Sequence, residues 1–463
     1  MKILIIHELQ SFIYGLRFFI ALVIVMLMFS VSSVTYIDEY KENVKSYHQL
    51  TSGEEARVRD YANNASKLAT GLRSYQLPPR GSSFISDCGE TVFPGSLSYN
   101  AYYYIAFESG GGSFNPFVMP VSRINWGFIM LVLFGFLAVI FSFDAVSAEK
   151  EQRTLALCLS NHIKRSHILL SKFISINIML ITLAIIGMLS SLVILAASPA
   201  VPISMETILE VGLFLAFVVF FTGSMTAIAM FASVISHNSN ISLLLSVSAW
   251  LMFMIAVPNF ARTVGMSLYP VEKNSSMVTK MTESFKEIEA SFPDGKWNSN
   301  SINPFMPEHE IRAAMRMAFA KSQADFVTVR HNEQFNQLEK TRKFAWLSPL
   351  AVFEYGSEAI LDGGYLRLRK NYNDLQNFKI QYFQWFKDVD AKDSDSPHWY
   401  NAYEDYSTTK KPVAYDDIPK FTERTVSISE RLAETMKYLM VMLTYMGIML
   451  FLTILKFERY DVR

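Results

Sequence analysis

Long runs without a single charged side chain decide what this chain can become. Residues 18–37 close at Asp38, residues 124–143 lie between Arg123 and Asp144, and residues 173–197 follow Lys172 and stop before Pro199 and Pro202. Residues 211–261 contain no Asp, Glu, Lys or Arg and are too long for one crossing. They divide at the polar turn Ser236-His237-Asn238-Ser239-Asn240 into helices expected over 205–235 and 240–261. Residues 438–455 sit between Lys437 and Lys456. At 1.5 Å per residue, about 20 residues cover the roughly 30 Å hydrocarbon core. One such run could be a buried core helix; six in one chain are not. The fold class expected is mainly α: a polytopic membrane protein of six transmembrane helices, with two extracytoplasmic insertions, 38–123 after helix 1 and 262–437 after helix 5.

Charge supports this and excludes other classes. Only 18% of residues are charged, against about 25% in soluble proteins. The 42 basic and 42 acidic residues leave no net charge, so a nucleic-acid partner is not expected. Basic residues gather at the N-terminal end (Lys2, Arg17), in the loop 144–172 (Lys150, Arg153, Lys164, Arg165, Lys172) and in the tail 456–463 (Lys456, Arg459, Arg463). The short loop around Pro199 has none. The positive-inside rule then puts both termini in the cytoplasm. The first apolar run exceeds a signal-peptide core. Residues 1–17 read as an interfacial amphipathic helix, with Ile6, Leu9, Ile13 and Leu16 on one stripe and His7, Gln10, Tyr14 and Arg17 on the other.

The first insertion looks helical through about Leu77, breaks at Pro78-Pro79, and continues as Gly-, Ser- and Tyr-rich loops or short strands. The second predicts a long helix from Pro307 to about Phe344, with Ala313, Met317, Ala320 and Ala324 on a packing face. A further helix is expected from Gly364 to about Asp388. No motif in the chain carries chemistry. Gly295-Lys296 lacks the upstream spacing of a Walker loop, neither His7-Glu8 nor His309-Glu310 has a second His, and Gly95-Ser96-Leu97-Ser98-Tyr99 is not a nucleophile elbow. The acidic stretch Asp388, Asp390, Asp393, Asp395, Glu404 and Asp405 lacks the central Gly and terminal Glu of a calcium loop, so a solvated surface loop is expected. Cys88 and Cys158 fall on opposite sides of the membrane and cannot pair. Glu206 and Glu210 begin the fourth helix, where carboxylates suit the helix dipole and can stay wet.

The loop 144–172 is the most informative stretch. Ser147 is placed to cap a short helix, Glu149 and Glu151 fall in its first turn, Glu149 lies one turn from Arg153, and Leu155 and Leu159 make an apolar ridge. The order Asp144, Glu149-Lys150-Glu151, Thr154-Leu155, Leu159-Ser160, Arg165, Lys172 resembles the signature of ABC-2-type transporter permeases. Pro78-Pro79, Ser82-Ser83-Phe84 and Asn115-Pro116-Phe117 are similar to the NosY-like subgroup with large outer insertions. Leu347-Ser348-Pro349-Leu350 with Glu354 and Gly363-Gly364 resembles the segment before the last span of that class. Two positions depart from the pattern: Arg153 stands where Gly is usual, and Asn161-His162 follow Leu-Ser where Pro is common.

The resemblance implies a permease of the bacterial inner membrane that is not itself an enzyme. Separate cytoplasmic ATPase subunits drive it, and ATP and Mg are bound on them and no cofactor by this chain. It implies a second permease copy or a paralogue as partner. Residues 1–17 become the connecting helix and 147–160 the coupling helix, with Glu149, Glu151, Arg153, Thr154, Leu155, Leu159, Ser160, Arg165 and Lys172 as the ATPase-coupling set. Export or extrusion of a substrate is the first functional expectation. The alternative is an ATP-driven mechanical transmitter acting on an envelope partner, for example a periplasmic protein, without transport.

Overall fold

In hydrocarbon, a backbone must satisfy its own hydrogen bonds, and a helix does so within one segment. The computed structural model describes residues 1–89, 93–108, 124–154, 164–293, 307–404 and 408–459. It contains six helices long and apolar enough to cross a membrane: Leu16–Tyr61, Trp126–Glu151, Arg165–Ala196, Met205–Ile235, Ser239–Leu268 and Ile428–Glu458. Both chain ends lie on one face, where Arg165 donates to the Glu458 carbonyl (2.9 Å) and Lys172 pairs with Glu8 (2.8 Å). That face is called terminal below, and the opposite one distal.

In chain order, α1 (Lys2–Ile13) lies against the start of the third span, and α2 (Leu16–Tyr61) is the first span. Then come α3 (Ala65–Thr70) and the strands β1 (Arg73–Gln76), β2 (Ser96–Tyr99) and β3 (Ile105–Glu108). The second span joins α4 (Trp126–Ile129) through a π-turn, Met130–Phe134, to α5 (Gly135–Ser142), and α6 (Ser147–Glu151) follows. Spans three and four are α7 (Arg165–Ala196) and α8 (Met205–Ile235). The fifth is α9 (Ser239–Leu251), a π-turn (Met252–Ala256) and α10 (Val257–Leu268). The distal helices α11 (Asn274–Ser291), α12 (Pro307–Ala345), α13 (Pro349–Leu361) and α14 (Gly364–Asp390) precede the last span, α15 (Ile428–Glu458).

Small residues let the spans approach one another. A Cβ on Gly187 of α7 would lie 2.6 Å from the Phe29 ring of α2, and one on Gly223 of α8 would lie 2.6 Å from Met446 Sδ of α15. Hydroxyls add polar links. Trp126 donates its indole N–H to Ser191 (2.8 Å), and Ser191 in turn bonds Ser33 of α2 (2.5 Å).

Several sequence expectations change. The helix leaving the first span ends at Tyr61, and α3 stops at Thr70. The stretch just before Pro78-Pro79 is strand β1, antiparallel to β2, which is antiparallel to β3. Tyr99 of that sheet packs on Phe378 and Tyr382 of α14, so buried aromatics claim the segment for a sheet. The acidic stretch is not solvated throughout. Asp390 is fully buried and accepts from Ser396 Oγ (2.6 Å) and the Thr409 amide (2.7 Å), and it also faces His398 (2.8 Å). Asp393, also buried, takes the Thr409 hydroxyl (2.6 Å) and Lys411 (2.5 Å). Asp405, Cys158, Gly110-Gly111-Gly112 and Asn115-Pro116-Phe117 lie outside the described residues.

The long helix α12 forms as expected, with Ala313 and Ala320 buried and α10 and α11 packed along it. One element was not foreseen. Helix α13 is inserted among the spans, with Phe353 against Phe221 (4.7 Å), Phe214 (5.4 Å) and Phe217 (6.4 Å) of α8. Sixteen residues past the first of α8, Phe221 lies about 24 Å along that helix, so α13 re-enters the membrane from the distal side. Its cap, Ser348, also donates to the Phe253 carbonyl within the fifth span's π-turn (2.6 Å). Where the ladder shifts to i→i+5, a carbonyl is free to accept from outside the helix.

Candidate functional site

The loop after the second span is fastened on every side. Asp144 pairs with Arg17 at the start of α2 (2.7 Å). Ser147 was expected to cap α6, but its hydroxyl instead donates back to the Phe143 carbonyl (2.9 Å). The amides of Val146 and Ser147 both donate to Ser233 Oγ in the last turn of α8 (3.0 Å each). The cap of this helix therefore comes from another span. The link is mutual, since Lys150 donates to the carbonyls of Val234 and Ser236 (3.1 Å to the second), which close α8. Glu151 accepts the Ser239 amide (3.2 Å) and hydroxyl (3.1 Å), and so caps the first turn of α9.

The strongest knot is ionic. Lys172 Nζ lies 2.8 Å from Glu149 and 2.8 Å from Glu8, joining α6, α7 and α1. The Lys172 side chain is only 9% exposed, so this pairing is shielded from solvent and salt more than a surface bridge. Glu149 does not turn to Arg153, as helical spacing suggested. Arg153 has φ 57° and stands in the turn that follows α6, which ends at Glu151. The departure from the family's usual Gly thus falls at a left-handed position, where Gly is the unstrained choice. Thr154 Oγ1 donates to the Glu149 carbonyl (3.4 Å), and Arg165 reaches the end of α15. Leu155, Leu159 and Ser160 lie outside the described residues.

Helix α1 divides its apolar residues between two sides. Leu4, Ile5, Glu8, Leu9 and Phe12 are the shielded residues, while Ile6, Ile13 and Leu16 are exposed. Phe12 meets Phe141 of α5 edge-on (6.1 Å), and Ser175 of α7 donates to the Ile5 carbonyl (3.2 Å). Among the described residues, Ile3, Ile6 and Ile13 form the row of α1 that no other element covers. Sequence reasoning missed Glu8, Ser233 and Ser239 as parts of this site. A carboxylate on the shielded side of an otherwise apolar helix was the available signal for Glu8. Nothing local pointed to Ser233. Among the described loop residues after α6, Glu151, Gln152 and Arg153 are exposed and Thr154 is half-buried, so this stretch is open to a partner. No His, Cys, Asp and Glu cluster suited to a metal occurs among the described residues.

On the distal side, Glu206 and Glu210 are not simply wet helix-start carboxylates. Glu210 is buried, 2.8 Å from Arg431 at the start of α15, and the exposed Glu206 pairs with the same guanidinium. A second buried pair, Arg342 to Glu358 (2.7 Å), ties the end of α12 to the re-entrant helix α13.

Six helices long and apolar enough to cross a membrane, with an N-terminal helix and a short loop helix both joined to the third span through Lys172, make this a multi-pass membrane protein. The chain belongs to the ABC-2 family transporter proteins, whose family model matches residues 2–462. No curated protein and no solved structure is significantly similar to it.

Proposed function

We propose that this chain is the membrane-spanning permease subunit of an ATP-driven complex in the bacterial inner membrane. In this reading the terminal face is cytoplasmic, and separate ATPase subunits dock there, binding the ATP and Mg that this chain does not. A second permease copy or a paralogue completes the pair, and a substrate is exported or extruded toward the distal side. The observation that carries the reading is the fastening of α6 to α1, α7, α8 and α9 through Lys172, Ser233, Lys150 and Glu151. A push on so short a helix reaches four neighbours without first being absorbed by a flexible loop. Glu151, Arg153 and Thr154 are the described residues assigned to ATPase contact. Glu149, Arg165 and Lys172 hold the platform, and Leu155, Leu159 and Ser160 complete the coupling set.

The alternative of a mechanical transmitter draws on one feature. Helix α2 runs 46 residues without a break, about 68 Å, from the terminal face into the distal domain. Such a rod can deliver motion to an envelope partner with no substrate passing. Reconstitution of the chain with its ATPase subunits in proteoliposomes tests both readings. ATP turnover that requires the added subunits, and falls on Glu151→Arg together with Arg153→Glu, is expected. Turnover by this chain alone would overturn the reading.

A further inference from the structure

Where the distal domain meets the distal ends of α8 and α15, the structure holds a polar cavity of about 580 Å3. Five basic side chains and four carboxylates line it. Most are locked in pairs on rigid elements. Arg431 of α15 holds Glu210 and Glu206 of α8, and Arg367 of α14 grips Glu423 through Nε and Nη2 (2.7 Å each). Lys370 meets Asp362 (2.5 Å), and Arg80 donates to the carbonyls of Leu361 and Asp362 that end α13. Burial pushes the Glu423 carboxyl up, but the hydrogen bonds and charge of Arg367, with Asn371 and Lys370, outweigh it and hold the pKa at about 2. Glu423 therefore stays ionised beside Arg367.

The rim differs from the floor. Arg424 is 59% exposed and stands 3.8 Å from both Asp374 and Glu430, while the Glu206 side chain is 58% exposed. A loosely paired cation, Arg424, and an anion that is paired to Arg431 yet largely exposed, Glu206, thus face the mouth. Height matters as well. Glu206 and Arg431 occupy the first turns of two membrane-crossing helices, so the mouth opens at the level of lipid head groups.

We propose that this cavity binds a zwitterionic phosphate–ammonium group. The phosphate oxygens go to Arg424 and Lys370, with the Thr422 and Thr425 hydroxyls, and the ammonium to Glu206. A guest of one sign would meet fixed charges of its own sign on the same wall, and desolvating it there is unfavourable. A zwitterion meets both signs with opposite charge. The volume falls within the roughly 300–1,000 Å3 of ordinary ligand sites. The same chemistry is offered by a phosphatidylethanolamine head group of the distal leaflet and by free O-phosphoethanolamine.

The test uses the full-length chain in nanodiscs of phosphatidylglycerol alone, of phosphatidylglycerol mixed equally with phosphatidylethanolamine, and of phosphatidylglycerol with O-phosphoethanolamine in solution. Native mass spectrometry then counts what the released protein retains. Retention of one phosphatidylethanolamine against the glycerol lipid is expected for a lipid site, and retention of O-phosphoethanolamine for a solute site. Glu206→Gln with Arg424→Gln, both exposed and so tolerated by the fold, is expected to weaken either by about tenfold or more. Retention of neither zwitterion above the phosphatidylglycerol background overturns the proposal, and so does binding by the double variant equal to that of the wild type.

Discussion

Lysine 172 shows how far a single side chain can be read from sequence. Its place at the boundary of an apolar run was legible as a charge at the membrane edge. Its two partners were not, because Glu8 is 164 residues away and Glu149 looked satisfied by Arg153 one turn on. Replacing Lys172 with Met leaves two carboxylates facing each other in a shielded site. Breaking a buried pair costs about 3–5 kcal/mol, and the partial exposure of both carboxylates lowers this to about 2–3. Thermal unfolding of Lys172→Met in detergent is expected to show that loss, with Lys172→Arg recovering most of it. His331 of α12 supplies a pH signature. Burial, with Arg330 beside it, lowers its pKa to about 4, and its ring faces the Tyr372 hydroxyl (3.3 Å). Below pH 6.5 the unfolded chain takes up a proton that the folded one refuses until about pH 4, so stability falls as pH drops through that window. The loss at pH 5 is about 2 kcal/mol. His331→Gln is expected to flatten the dependence of the unfolding midpoint between pH 7 and 5, and an unchanged slope would assign it elsewhere.

At the scale of elements, legibility followed apolar run length. Helices at the six uncharged runs were visible because about 20 apolar residues have no better home than a bilayer. Helix α13 was invisible for the same reason. It is 13 residues long and carries Glu354 and Glu358, so it reads as part of a soluble insertion. What seats it is tertiary: the Phe353 contacts, the Ser348 cap and a close approach at Gly356. A Cβ there would lie 2.0 Å from the Phe217 ring, which is itself fully buried. Gly356→Ala gains about 1 kcal/mol of helix preference, yet overpacking of about 1–3 kcal/mol or more dominates, since the ring has no room to turn. A net loss in thermal stability is expected, with Phe217→Leu in the same chain restoring part of it. The α6 cap was hidden likewise, because Ser147 fits the local pattern while Ser233 supplies the bonds. Ser233→Ala should therefore destabilise the loop by about 1 kcal/mol, read as faster proteolysis between residues 144 and 164, and Ser147→Ala should do less.

For the molecule as a whole, the proposed function requires an event at α6 to become motion in the distal domain. Two structural routes exist. One passes through α8 and α15, whose distal ends are clamped to each other by Arg431, Glu206 and Glu210, with Arg431 also donating to the Ile360 carbonyl of α13 (3.3 Å). The other is α2, an unbroken lever fixed at its base by the Arg17–Asp144 pair and at its far end by Val58 in the distal core. The two can be separated at Gly53, which lies in the exposed middle of the distal half of α2, with open space where a Cβ would stand. Proline there removes one ladder bond and kinks the helix at a cost of about 3 kcal/mol, while touching neither a span nor the terminal face. With the ATPase subunits present, Gly53→Pro is expected to keep subunit association and stimulated ATP turnover. Spin labels at positions 57 and 286, placed after the kink and on α11, should report a distance change on nucleotide binding in the parent chain that shrinks in the variant. A distance change of undiminished size would assign transmission to α8 and α15, and Glu206→Gln with Glu210→Gln would then be the pair that abolishes it.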